Sequence, residues 1–235
     1  MIKTSKICFA VLFCAVTSYG QSAVKKRMFA DTEPIIRKYT VDCQKAWDSK
    51  NEKLALTYYD SINTCITGSY IGNHKFKTLN NKVIDMGKII KPTLIIVSAS
   101  WCEPCRAEIP ALNKIVEKYK DKIDFVVLFW NDKKETQKLA PLYNKSIFIV
   151  PSDVQSKDDV HKISIGGFNH IMGYPTNYMI NASRKIVKYA TGAAVATSFV
   201  GPDGKMVTIT EDQALEKNYT RLKDDVDFLI ANNKE

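Results

Sequence analysis

Two cysteines three positions apart, Cys102 and Cys105, are the residues in this chain best placed to do chemistry. They sit in Trp101-Cys102-Glu103-Pro104-Cys105, between two patterned segments. Before them, Thr93 to Ala99 is a β-branched run after Pro92 and reads as a fully buried strand. After them, Ile109, Leu112, Val116 and Tyr119 recur at helical spacing. A cysteine at the first turn of a helix faces unpaired backbone amides, which favour negative charge. Its pKa falls from about 8.5 towards about 7, so thiolate forms near neutral pH. Two intervening residues put both sulfurs on one helical turn, close enough to bond. The pattern implies thiol–disulfide exchange. Cys102 faces outward and attacks a disulfide, and Cys105 is buried and resolves the mixed disulfide. Glu103 next to Cys102 disfavours the thiolate, and no histidine lies between the cysteines. Together these predict a reducing poise, nearer about −270 mV than about −120 mV.

Of the six cysteines, Cys8 and Cys14 lie in a leader-like start. Lys3 and Lys6 precede the uncharged run Ile7 to Val16, and Ser18 and Gly20 are small where a signal peptidase cuts. Residues 1–20 are therefore expected to be a signal peptide, cleaved near Gly20. The protein is then expected in the periplasm or another extracytoplasmic compartment. The run is far short of the ~20 residues that span a bilayer, so no stable membrane anchor is expected. Cys14 follows Phe13, where lipidation requires a small residue. The four remaining cysteines, in an oxidising compartment, suggest two disulfides. The three histidines, His74, His161 and His170, have no metal-ligand spacing with a cysteine pair. No metal site and no cofactor are expected. The net charge of +9 is scattered, with no basic stripe, which argues against nucleic-acid binding.

The rest of the chain has to hold this pair. Residues 21–70 read as an N-terminal helical hairpin. Ile36, Tyr39, Cys43 and Trp47 mark its first helix, and Leu54, Tyr58, Ile62, Cys65 and Ile66 its second. Cys43 and Cys65 both lie on apolar stripes, which suggests a structural disulfide closing the hairpin. Residues 71–235 read as one α/β domain. Lys75 to Val83 supplies an irregular strand or two, and Asp124 to Trp130 a second buried strand. A helix is expected over Lys133 to Tyr143, a short strand over Ser146 to Val150, and helical structure over 157–165. Strands follow at Asn177–Ile180 and Lys185–Tyr189, parted by a turn at Asn181-Ala182-Ser183. An insert at 191–209 has no clear pattern beyond the turn Gly201-Pro202-Asp203-Gly204. Leu215, Tyr219, Leu222, Val226 and Leu229 mark a C-terminal helix over 211–231.

The run from Ser98 to Pro110, with Trp101-Cys102-Glu103-Pro104-Cys105 at its centre, resembles the active-site segment of TlpA/ResA-like thiol–disulfide oxidoreductases of the thioredoxin superfamily. Gly173-Tyr174-Pro175-Thr176-Asn177 resembles that family's cis-proline loop. The resemblance spans about residues 76–190 and leaves out the hairpin and the insert. It implies a thioredoxin-like fold, a central mixed sheet flanked by helices. It implies protein substrates carrying disulfides or thiols, and the outside compartment implies an electron donor in the membrane. Pro175 would be cis, with Trp101 and Tyr174 beside it forming the substrate-binding surface. Glu108, one turn after Cys105, would assist proton transfer at Cys105. The other seat for a buried acid, on the preceding strand, holds Ile96. A peroxidase reading fails, because the threonine or serine and the proline it needs are replaced by Ala99 and Ile95. A client-binding folding or assembly factor, with redox chemistry secondary, stays open.

Overall fold

The structure is a computed structural model that describes residues 26–152 and 162–233. The leader-like residues 1–20 lie outside them, as does most of the segment 157–165. Two helices come first, α1 (Glu33–Asp48) and α2 (Glu52–Ile66). Asn51 caps α2 by accepting from the Leu54 amide at 3.2 Å. A small ribbon of β1 (Lys75–Lys77) and β2 (Val83–Asp85) leads to the central sheet. The sheet holds β3 (Thr93–Ser98), β4 (Asp124–Phe129), β5 (Phe148–Val150), β8 (Thr176–Ile180) and β9 (Ile186–Thr191) in the order β5-β4-β3-β8-β9. β3, β4 and β5 are parallel, whereas β8 and β9 run antiparallel beside β3. α3 (Glu103–Tyr119) connects β3 to β4, and α4 (Lys133–Leu139) lies between β4 and β5. This is the thioredoxin-like arrangement expected from the sequence.

Strand alternation divides the core in two. Ile95, Val97, Val126, Leu128, Tyr178 and Ile180 face the layer built by Ile36, Ile62 and Ile66 of the hairpin. The N-terminal helices therefore share a core with the sheet and form one of its two covers. Leu94, Ile96, Phe125, Val127 and Met179 face α3 and α5 (Glu211–Ala231). Both faces being covered explains why Leu94 to Val97 is apolar without alternation. α5 begins with a capping box between Thr210 and Gln213 and buries Leu222, Val226 and Leu229. Each such leucine or valine contributes about 1.5–3 kcal/mol on burial.

Three expectations need correction. Ile163–Ile165 is a strand, β6, paired with β7 (Phe168–His170), and not helical. Its burial alternates, with Ile163 and Ile165 buried and Ser164 exposed, which is the period of a strand. The turn between them, Gly166-Gly167, has positive φ at both residues, 54° and 81°. A Cβ on Gly166 would sit 2.3 Å from the Lys75 carbonyl oxygen, so only glycine fits. Second, the insert contains a hairpin, β10 (Thr197–Val200) and β11 (Met206–Ile209), turning at Pro202-Asp203. Third, Cys43 and Cys65 are free thiols.

The reason is axial register. The Cys43 thiol donates to the Ala55 carbonyl oxygen at 3.4 Å, which fixes Cys43 level with Ala55 in the antiparallel pair. Cys65 lies ten residues further along α2, about 15 Å at 1.5 Å per residue. A disulfide needs Cα atoms within about 7 Å. Cys65 is buried, and burial raises its thiol pKa against the opposing pull of Arg27. Alkylation of the unreduced, denatured protein followed by peptide mapping is expected to label Cys43 and Cys65 fully, while Cys102 and Cys105 stay unlabelled. A bridged Cys43–Cys65 peptide would contradict the register.

Candidate active site

The strand β3 ends at Ser98, and the chain turns over Ala99 to Trp101 before α3 starts. Asn131, buried at the end of β4, pins that turn. Its Oδ1 accepts from the Ser100 amide and its Nδ2 donates to the Ser100 hydroxyl, both at 2.7 Å. Cys102 is then the N-cap of α3, and its sulfur accepts from the Cys105 amide at 3.2 Å. Cys102 and Cys105 are joined in a disulfide, with Cα atoms 5.3 Å apart. The N-cap position is where an anionic sulfur gains most from the free amides of the helix. Among the described residues, no group of three or more His, Cys, Asp and Glu side chains is placed to hold a metal ion.

Cys102 does not face outward as expected. It is 4% exposed, close to the 3% of Cys105. The cover comes from three separate segments: Trp130 and Tyr174 pack on the cysteines, and both touch Trp101. The Trp101 ring lies edge-on to Trp130 at 6.0 Å and to Tyr174 at 5.4 Å. Trp101 is itself 51% exposed, so the cover forms an aromatic surface around the disulfide rather than a closed core.

The Tyr174–Pro175 bond is cis. Pro175 directly precedes β8, and its carbonyl oxygen accepts from the Gly192 amide at 2.9 Å. The Thr176 hydroxyl donates to the Gly173 carbonyl oxygen at 2.7 Å, and His170 Nε2 lies 3.2 Å from the same oxygen. β7 thereby fixes the loop that places Tyr174 against the cysteines.

Glu108 lies one turn beyond Cys105 and is 2% exposed. Asn177 Nδ2 of β8 donates to its Oε1 at 3.2 Å, and Arg221 of α5 pairs with the same oxygen. Burial pushes the Glu108 pKa above the ordinary carboxylate value. The Arg221 guanidinium and the bonds from Asn177 and Arg221 pull it back, and Asp225 adds to the rise. A carboxyl group raised above the ordinary carboxylate range by burial and held in check by an adjacent cation is suited to take a proton from a neighbouring thiol.

The sequence profile of the Redoxin family matches residues 68–203, more than half the chain. The chain belongs to the redoxin family. This redoxin is 28% identical over 95 residues to the thioredoxin-like protein YneN of Bacillus subtilis, 39% of this chain and 51% of that one. It is 45% identical over 49 residues to the chloroplastic thioredoxin-like protein HCF164 of Arabidopsis thaliana, 21% of this chain and 19% of that one. The chain thus spans about half the length of the first of these relatives and about a fifth of the second. Among solved structures, a thioredoxin-like protein from Porphyromonas gingivalis superposes with a TM-score of 0.42 at 16% identity, over 70% of this chain and 94% of that one.

The redoxin's site brings together Trp101, Cys102, Cys105, Tyr174 and Pro175, with Glu108 behind them. Cys43 and Cys65 are not part of it. The sequence reading missed Asn131, Asn177, Arg221 and Asp225. It also missed Asn218, buried on α5, whose amide group exchanges hydrogen bonds of 2.8 and 2.9 Å with the backbone of Ala194. Arg221 and Asp225 lie one turn apart on the predicted helix, but an apolar stripe carries no information about its charged residues.

Proposed function

We propose that this redoxin is an extracytoplasmic thiol–disulfide oxidoreductase that reduces disulfides in protein substrates. The observation that carries the reading is the Cys102–Cys105 disulfide at the N-terminus of α3, with the Cys102 sulfur accepting a backbone amide. In the reduced protein the Cys102 thiolate attacks one sulfur of a substrate disulfide. A bond forms between Cys102 and that sulfur, and the other substrate sulfur leaves as a thiolate and takes a proton. Cys105 passes its proton to Glu108 and attacks the Cys102 sulfur, releasing the second substrate thiol. The protein ends oxidised, as in this structure, and a dithiol donor in the membrane returns the two electrons. Trp101, Tyr174 and Pro175 form the surface on which the substrate chain rests. Export is supported by the leader-like pattern of residues 1–20.

Equilibration with thiol–disulfide buffers tests the direction. The expected potential lies below about −180 mV, and a higher value would overturn the reducing assignment. A second reading, a client-binding assembly factor, is favoured by the exposed apolar side chains Phe199, Val200, Met206 and Val207 on the β10–β11 hairpin. It predicts client capture that survives loss of both cysteines.

A further inference from the structure

The most unusual group behind the disulfide is the charge cluster that α5 brings to Glu108. Arg221 Nη2 pairs with Glu108 Oε1, and Arg221 Nη1 lies 3.7 Å from Asp225 Oδ2. Lys188 Nζ of β9 is 2.7 Å from Asp225 Oδ1. Glu108 and Asp225 are both buried, whereas Arg221 and Lys188 reach a groove at the surface lined also by Thr220 and Asp224. The groups around Glu108 are thus Cys105 on its own helix, Asn177 on β8, Arg221 and Asp225 on α5, Lys188 behind Asp225 on β9, and Tyr143 before β5. Two anions and two cations balance when both carboxylates are ionised.

A buried carboxylate left to itself is protonated near neutral pH and is useless as a base. A charge held against it restores the anion. Both donors, from Asn177 and Arg221, are seated on Oε1, which orients the carboxyl group and leaves Oε2 to take the proton. We propose that Arg221 is the positioning residue for the base. It holds Glu108 ionised and oriented while Cys105 is deprotonated, and Asp225, anchored by Lys188, limits how far it does so. The proposal rests on Glu108 acting as base for Cys105.

The test uses the reduced protein and the aromatic disulfide dithiobis(nitrobenzoate) in stopped flow. Attack by Cys102 forms the mixed disulfide and releases one nitrothiobenzoate. Attack by Cys105 on Cys102 releases the second and leaves the Cys102–Cys105 bond. Background from other thiols is measured in the Cys102→Ser/Cys105→Ser double variant and subtracted. The second release is expected to quicken as pH rises through the Glu108 pKa, because the carboxylate is the active form. Arg221→Met is expected to move that midpoint alkaline by about 1–3 pH units, with the change confined to the second release. Arg221→Lys, which keeps the charge, is expected to restore most of the shift. Asp225→Asn is expected to move the midpoint the opposite way, to lower pH. Shifts of opposite sign from neighbouring residues on one helix do not arise from loosened packing. If Glu108→Gln slows the second release but neither Arg221→Met nor Asp225→Asn moves the midpoint as stated, the role of Arg221 is overturned. If Glu108→Gln leaves the second release unchanged, the assignment of the base itself fails.

Discussion

Replacing Cys105 by alanine is expected to stop the protein after one event, leaving it covalently attached to its substrate through Cys102. Replacing Cys102 by serine is expected to lower disulfide reduction by at least about 10³-fold, with no adduct formed. The two outcomes differ because the cysteines contribute differently. For a cysteine at a helix N-terminus, a fall in pKa from about 8.5 to about 7 raises the thiolate fraction at pH 7 about 15-fold. The accompanying loss of nucleophilicity, with a Brønsted slope of about 0.4–0.5, takes back about 5-fold. Acidity alone therefore speeds attack by only about 3-fold. The larger gain lies in the second step, where Cys105 is already held one turn from the mixed disulfide. Well-oriented intramolecular reactions reach effective concentrations of about 10⁵–10⁸ M. Non-reducing electrophoresis of Cys105→Ala mixed with a disulfide-containing protein reads this directly, as a band at the summed mass that vanishes with reductant. Continued turnover in Cys105→Ala would mean that an external thiol, and not Cys105, resolves the adduct.

What the sequence made legible was local. The start of α3 at the cysteine pair and the span of α5 follow from signals within a few residues: a short motif and an apolar period. The cis bond at Pro175 rested on a resemblance, and a cis peptide is present there. The failures share a different cause. Apolar stripes report which face of a helix is buried but not how far one helix slides along its neighbour. Cys43 and Cys65 were therefore paired across a gap that the length of α2 forbids. The burial of Cys102 depends on Trp130 and Tyr174, which arrive from elsewhere in the chain and which the motif alone does not reveal. Nothing near Arg221 in the sequence marks it, since only the crossing of α5 over α3 sets it against Glu108. Ile163–Ile165, expected to be helical, is a strand because it pairs with Phe168–His170, and three alternating residues are too few to set a period by themselves.

The other large effect is one of stability, and it centres on Phe168. This residue, 0% exposed on β7, is enclosed by four aromatic rings from three other segments. Phe29 stacks on it at 5.3 Å, while His74, Phe76 and Tyr178 meet it edge-on at 5.6, 6.2 and 5.5 Å. It therefore joins the residues preceding α1, the β1–β2 ribbon and the central sheet. Phe168→Ala is expected to cost about 3–5 kcal/mol, the transfer loss plus the cavity left by walls that cannot all collapse inward. Against a total of about 5–15 kcal/mol for a typical domain, that is enough to bring unfolding close to ambient conditions. Phe168→Leu, which keeps most of the volume, is expected to cost clearly less. Urea unfolding followed by circular dichroism measures both, and a cost for the alanine variant below about 1 kcal/mol would show that the cluster is not the tie described. The damage is also expected to reach the site. Tyr178, one of the four rings, has its hydroxyl 2.9 Å from His170 Nδ1, and the other nitrogen of that ring faces the Gly173 carbonyl oxygen ahead of Pro175. A loosened Phe168 thus frees the loop that sets Tyr174 against the disulfide. Slower reduction of protein disulfides is expected even under conditions where the variant stays folded, whereas reaction with a small aromatic disulfide, which needs no docking surface, is expected to change little.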